Sequence, residues 1–282
     1  MEAMLSKSSA EQVDWNEAWR TAQLNTSMRK HRSNMTEFWN MKAKRYDRME
    51  NMGNDRAMQV IDRFGVDADS SVIDIGCGPG TVSIPLARIA KSVTAVDPAH
   101  AMLDRLNEKA ANEGLTNISI LNKKWEEVDL GTDIIPHDVV VASYSLIMED
   151  IREALLKMNA VAERGVCLFW FAGRPSWGND ALWPKLFGEE FVPGPDYIYL
   201  VNVLYHIGIH PNVEITKQTH KQYFPSIEDA VENCRENLLG LTAEQDFILR
   251  AYLEETLVSE NGAYYSRNYI KTAMVWWQKD MA

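Results

Sequence analysis

Cysteine is scarce in this 282-residue chain: there are three, and no two are spaced Cys-x-x-Cys. That excludes a disulfide framework and suits a reducing interior. Long apolar runs are missing too. The longest uncharged stretch, Tyr197 to Val213, is broken by Asn202, His206, His210 and Pro211, whereas a membrane span needs about 20 predominantly apolar residues. It reads instead as a buried or ligand-facing helix. The first fifteen residues are polar and lack the apolar run of a signal peptide. Cations are outnumbered, 29 Lys and Arg against 40 Asp and Glu, for a net charge of −11. Such a surface repels phosphate backbones, which disfavours general nucleic-acid binding. The expectation is a cytoplasmic, globular protein that engages no membrane.

Apolar residues make up 46% of the chain and charged ones 24%, enough for a sizeable core and too apolar for wholesale disorder. Residues 1–50 read as a helical N-terminal cover, with Trp15, Trp19, Phe38, Trp39 and Tyr46 at helical spacings. From Ser71 short apolar runs alternate with helical patterns: 72–75, 93–96, 118–121, 138–142 and 166–170 as strands, with helices over 82–90, 99–112 and 151–162 between them. This rhythm marks a doubly wound α/β fold with a mostly parallel sheet. Residues 51–172 form that core. Residues 173–212 are an insertion containing Trp177, Trp183, Phe187, Phe191, Tyr197, Tyr199 and Tyr205, either a lid with its own small core or the wall of an acceptor pocket. Residues 213–282 complete the sheet with a strand at 213–224, two helices, the second capped by Thr242, and an antiparallel final strand at 272–277. Seven strands result.

The segment Asp74-Ile75-Gly76-Cys77-Gly78-Pro79-Gly80-Thr81 follows a strand and precedes a helix, as a nucleotide-binding loop requires. Glycines permit the tight turn and let a ligand approach the backbone. Small size explains Cys77 between them. Asp97 ends the second strand about 20 residues later, where a carboxylate accepts hydrogen bonds from ribose hydroxyls. The spacing is not Gly-x-Gly-x-x-Gly, and Asp74 stands beside the loop. A carboxylate there opposes a pyrophosphate but suits a cationic amine or sulfonium. The sum is a nucleoside with a positively charged tail, a description that S-adenosylmethionine meets.

On these residues the chain resembles the class I S-adenosylmethionine-dependent methyltransferases, a Rossmann-like superfamily, over about 36–172. The run 72–81 is similar to their first motif, Val93-Thr94-Ala95-Val96-Asp97-Pro98 with Met102-Leu103 to their second, and Asp138 to Ser143 to their fourth strand. Phe38-Trp39 with Ala43 and Tyr46-Asp47 resembles the helix that closes over the cofactor. The resemblance implies S-adenosylmethionine as cofactor and S-adenosylhomocysteine as product. Gly76, Gly78 and Gly80 contact the methionine and ribose portions, Asp74 the amino group, Asp97 the ribose, Pro98 and Met102 the adenine. Trp39, Tyr46 and Ser143 join this set. One position departs from the pattern: Lys124 stands where the family often has an Asp reading the adenine amino group. Trp125 packing on the adenine, the backbone there, or Glu126 takes its place.

Methyl transfer from a sulfonium is a direct displacement, so the protein chiefly aligns the reactants and excludes water. The motifs therefore specify the cofactor far better than the acceptor. Acceptor-side candidates are Tyr144 and Ser145, at the carboxyl end of the fourth strand, and His206 as a base. His206 and His210 share a helix face but lack further ligands, so no metal site is expected. A small-molecule acceptor is favoured, since no Asn-Pro-Pro-Tyr signature of nucleic-acid amino methyltransferases is present. Two rivals stand beside it. The cluster Arg29-Lys30-His31-Arg32 motivates RNA or protein methylation, and Lys124 with no obvious base motivates a non-catalytic S-adenosylmethionine-binding sensor or partner module.

Overall fold

A computed structural model describes residues 13–32, 34–43, 51–173, 179–238, 240–260 and 262–279. The expectations placed on Tyr46 and Trp177 fall outside them. Five strands, β1 (Ser71–Ile75), β2 (Ser92–Val96), β3 (Ile118–Leu121), β4 (His137–Ser143) and β5 (Ala162–Phe171), run parallel. Three more follow: β6 (Asn212–Phe224), β7 (Val258–Glu260) and β8 (Ala263–Gln278), with β8 antiparallel to both β5 and β6. The order is β3-β2-β1-β4-β5-β8-β6, with β7 beside β8. The chain steps outward from β1 through β2 to β3, then returns to place β4 on the other side of β1. The crevice above the carboxyl ends of β1 and β4 is thus the topological switch point, where open α/β sheets bind ligands.

Two expectations need correction. The sheet has eight strands rather than seven, because β7 adds a three-residue pairing at the outer end of β8. The final strand begins at Ala263 rather than at 272. Only its second half lies in the main core and reads as an apolar run. The first half pairs residue for residue with the outer half of β6, and polar side chains such as Arg267, Asn268 and Lys271 conceal it.

Helices cover both faces. On one, α1 (Trp15–Leu24), α7 (Ile151–Val161) and α9 (Tyr197–His206) pack on Ile73, Ile75, Val140, Leu168 and Val275. On the other, α4 (Asn51–Phe64) and α5 (Ser83–Ala87) pack on Val72, Val139, Val141, Cys167 and Met274. α6 (His100–Asn112) closes the β2 side through Leu103 and Leu106. The described residues of 173–212 do not act as one unit. α8 (Asn179–Phe187) joins α10 (Ile227–Leu238) and α11 (Ala243–Thr256) in a separate cluster around Trp183, Phe224 and Leu249, whereas α9 belongs to the main core. No helix among the described residues is long and apolar enough to cross a membrane.

The N-terminal cover is completed by α2 (Ser27–Lys30) and α3 (Met35–Lys42). It is fastened to the segment after β4 by side chains that satisfy loop carbonyls. Asp14 caps α1. Trp19 Nε1 donates to Met148 O at 2.8 Å and Gln23 Nε2 to Leu146 O at 3.0 Å, and Trp19 is fully buried against Trp170. Trp19→Ala should lower stability by about 3–5 kcal/mol, because it opens a cavity and strands a buried carbonyl. Urea unfolding checks this. Trp19→Phe should cost less, since it keeps most of the ring volume and loses only the N–H.

Candidate functional site

The end of β1 is held by backbone bonds to β2: Gly76 N and Cys77 N both donate to Val96 O, at 2.7 and 3.1 Å. Gly76 has φ +67, and a Cβ there would fall 2.2 Å from Ser145 Cβ. Only glycine lets the loop after β1 meet the loop after β4 this closely. Ser145 Oγ completes that meeting by donating to Ile75 O at 2.5 Å. Gly80, φ +83, similarly leaves room for Leu106 of α6.

Two carboxylates flank this loop. Asp97, at the end of β2, accepts from Gly78 N at 2.9 Å through one oxygen and from Ala99 N at 2.8 Å through the other. It therefore ties the loop to the start of α6, and each oxygen keeps a lone pair for a further donor. Burial pushes its pKa up. Asp74 is buried at 1% exposure. Ser83 Oγ donates to its Oδ2 at 2.6 Å, while Oδ1 has no hydrogen-bond partner. Burial raises the Asp74 pKa to about 6, against the Ser83 hydrogen bond and the charge of Arg56, which pull it down. Such a carboxylate is stabilised by an incoming cation that donates hydrogen bonds.

On the β2 side, Met102 is buried with Ala43 and Ala99, and Trp39 packs against them. Asn40 Oδ1 accepts from Ala101 N at 3.1 Å, so α3 is pinned to the first turn of α6. Pro98 is half-buried beside them. Asn122 Nδ2 donates to Asp97 O at 2.9 Å and joins the ends of β3 and β2. The side chain of Trp125 turns into the main core, where its Nε1 donates to Ala154 O at 3.2 Å. The ring is thereby committed to packing below the sheet edge. Lys157 Nζ draws in the carbonyls of Trp125, Glu126 and Val128 at 3.0–3.1 Å, and the Glu126 side chain is left exposed. Lys124 is exposed and caps the short turn with Glu127.

On the β4 side, Ser143 Oγ is buried without a hydrogen-bond partner. Tyr144 has φ +54, the one positive φ outside glycine among the described residues. That left-handed conformation is strained for an aromatic residue. It is held by Tyr144 N donating to Phe169 O at 3.0 Å. The ring lies 4.9 Å from that of Phe171, with the Arg56 guanidinium 5.2 Å from its centre. Its hydroxyl engages Thr272 and Arg56, and burial pushes its pKa up. Ser145 therefore stands at the glycine loop, and Tyr144 precedes it with its ring between Phe171 and Arg56. His206 does not join them. It is exposed, its Nδ1 is 2.8 Å from Asn202 O, and it lines a surface depression with Asp14 and Arg152 that includes no residue of the glycine loop. Cys77 is buried, and burial pushes its thiol pKa up, which disfavours the nucleophilic thiolate. Ser83, Arg56, Asn40 and Thr272 escaped the sequence reading. They reach the site from other segments and match no local motif.

The donor set fits a nucleoside with ribose hydroxyls and a cationic tail. Separately, the chain is similar to several known proteins. A family of sequences described as a methyltransferase domain matches residues 72–165. An uncharacterized protein of Haemophilus influenzae is 31% identical over 224 residues, spanning 79% of this chain and 81% of that protein. A 23S rRNA (uracil(1939)-C(5))-methyltransferase of Alkalilimnicola ehrlichii is 40% identical over only 65 residues, 22% of this chain and 15% of that protein. Among solved structures, the YcgJ protein of Bacillus subtilis shares the fold, with a TM-score of 0.51 at 14% identity over 79% of this chain and 97% of that one.

The raised Asp74 pKa predicts a pH dependence. Its folded value of about 6 exceeds the ordinary 3.8, so the ligand-free fold binds a proton more readily than the unfolded chain. Asp74 therefore weakens the ligand-free fold at neutral pH, and the penalty fades as pH falls through about 6. Asp74→Asn should raise the thermal midpoint at pH 7.5 by a few degrees and leave it nearly unchanged near pH 4. Thermal unfolding at the two pH values checks this.

Proposed function

Because the chain belongs to the class I S-adenosylmethionine-dependent methyltransferases, we propose that it methylates a small molecule held beneath the helical cover. The cofactor supplies an electrophilic methyl on a sulfonium. The residues here supply position and shelter. Gly76, Gly78 and Gly80 with Asp97 take the nucleoside, and Asp74 takes the ammonium of the tail. Met102 and Pro98, under Trp39, form the apolar bed for the adenine. Tyr144, fixed by its strained backbone and by Phe171, orients the acceptor at the end of β4. Displacement needs an aligned nucleophile and little else, so a site without a dedicated base is sufficient.

One observation carries the choice of a small acceptor. α3 is anchored to two separate elements. Towards α6 it bonds through Asn40, and towards α10 through Lys42, 3.6 Å from Glu236, with Arg32 just before it donating to Asn237 O at 2.5 Å. A cover tied to both α6 and α10 supports an enclosed acceptor over a long polymer. The basic cluster that motivated RNA binding is largely engaged within the chain. Arg29 pairs with Glu149 at 2.6 Å, His31 packs on the rings of Trp183 and Phe187, and Arg32 lies 3.7 Å over the Phe38 ring. A cytoplasmic setting agrees with three free thiols.

Incubation of the protein with cell extract and S-adenosylmethionine labelled on its methyl group tests the proposal. The label should appear in the low-mass fraction. Label recovered only in RNA or protein would overturn the small-molecule reading. In the same assay Tyr144→Ala should slow transfer at least about tenfold while S-adenosylhomocysteine affinity, read by titration calorimetry, changes less, because the orienting role lies on the acceptor side.

A further inference from the structure

β6 is paired on one side only. Its 13 residues bond to β8, and among the described residues no other segment bonds to its outer side. Past Thr216 and Thr272 the two strands run on beyond the end of β5, whose pairing with β8 stops at Phe171. They form a two-stranded ribbon with a free edge. An edge of this length is a template for a further strand.

Cross-strand partners share a face, so the register sorts the side chains. One face of the ribbon carries Phe224, Ile270 and Thr272, which are buried. The other carries Lys217 opposite Lys271 and Lys221 opposite Arg267. All four cations are exposed, and none is ion-paired among the described residues. Tyr269, 78% exposed, stands between Arg267 and Lys271, and Tyr223, 57% exposed, follows Lys221 on the same face. Glu260 is the one carboxylate that β6, β7 and the outer half of β8 bring to this face, and it sits at the far end. Glu214 lies on the opposite face and pairs with Arg63 at 3.3 Å. Lysine on an edge strand is an ordinary guard against wrong pairing. That accounts for Lys217 and Lys221 but not for Arg267 and Lys271, which stand on β8, one strand in from the edge. A chain of net charge −11 thus gathers four cations and two exposed rings on one strip.

We propose that this ribbon docks an extended acidic segment of a partner protein, which adds to β6 as a further strand and lays carboxylates over the cations. The inference is independent of the cofactor assignment. Lys217 and Lys221 are about 13 Å apart along an extended strand, so carboxylates at the same spacing on the added strand meet both. Arg267 and Lys271 lie about 10 Å from that strand, within reach of a glutamate. Backbone bonds give such a contact its affinity, and the alternating side chains give it specificity. Two other occupants fit less well. A single-stranded nucleic acid can use the cations and rings, but it leaves the free backbone edge unsatisfied and must cross a chain of net negative charge. A second copy paired antiparallel through β6 gathers the lysines of both edges on one face, where like charges repel.

Fluorescence anisotropy with a labelled peptide of about twelve residues alternating Glu and Thr, at about 50 mM salt, tests this. The unaltered chain should bind it at least about tenfold more tightly than a peptide alternating Lys and Thr. The variant carrying Lys217→Gln, Lys221→Gln, Arg267→Gln and Lys271→Gln should lose that preference, and a matched thermal midpoint would show that it is folded. Hydrogen exchange gives a second readout: the bound acidic peptide should slow amide exchange across residues 213–223, which charge attraction alone does not do. Equal binding of the two peptides, or a preference that survives in the variant, overturns the inference. So does amide exchange in β6 that the bound peptide leaves unchanged. Tight binding of oligouridylate or of phosphatidylserine vesicles by a chain that ignores the acidic peptide overturns it too.

Discussion

A carboxylate buried at the end of β1, with one oxygen bonded to Ser83 and the other bare, is the constraint on which the site depends. Burying a charge is unfavourable unless it is compensated. In Asp74 the compensation is incomplete: burial still holds its pKa near 6 despite Ser83 and the field of Arg56. In the proposed site, an ammonium group would supply the missing share. A site built this way binds a cationic ligand by relieving a cost that the empty fold already bears.

The sheet delivers the other parts to the same place. The switch point sets the loop after β1 beside the loop after β4, and the contact of Gly76 with Ser145 draws them together until no side chain fits between. Asp97 spans from Gly78 to Ala99, so the β2 side of the crevice is fixed by two backbone bonds. Above the crevice, the N-terminal helices are bonded to the segment after β4, to α6 and to α10. Fold, loop and cover thus share their anchors, and the site is preorganised by the same hydrogen bonds that hold the chain together.

The sequence made local features legible. Apolar runs gave β1 to β5, the glycines and the strand-end carboxylates gave the cofactor loop, and Thr242 marked the start of α11. Features made by distant segments were hidden. Arg56 and Thr272 approach Tyr144 from α4 and β8, and no spacing rule links them to it. Trp125 was expected on the adenine; instead its indole N–H finds Ala154 O inside the core, which a strand-end position does not reveal. His206 looked like a base by residue type alone, and the path of α9 leaves it exposed and bonded to its own helix. The outer half of β8 was hidden because it pairs with β6 away from the main core, and polar residues such as Arg267, Asn268 and Lys271 break its apolar pattern.

In the proposed site, the Asp74–Asp97 pair and the glycine loop between them bind one S-adenosyl group. A crystal structure of the protein grown with S-adenosylhomocysteine tests it most directly. The amine should lie within hydrogen-bond distance of Asp74 Oδ1, both ribose hydroxyls on Asp97, and the adenine beside Met102. An S-adenosylhomocysteine molecule seated elsewhere, with Asp74 Oδ1 still lacking a partner, would contradict it.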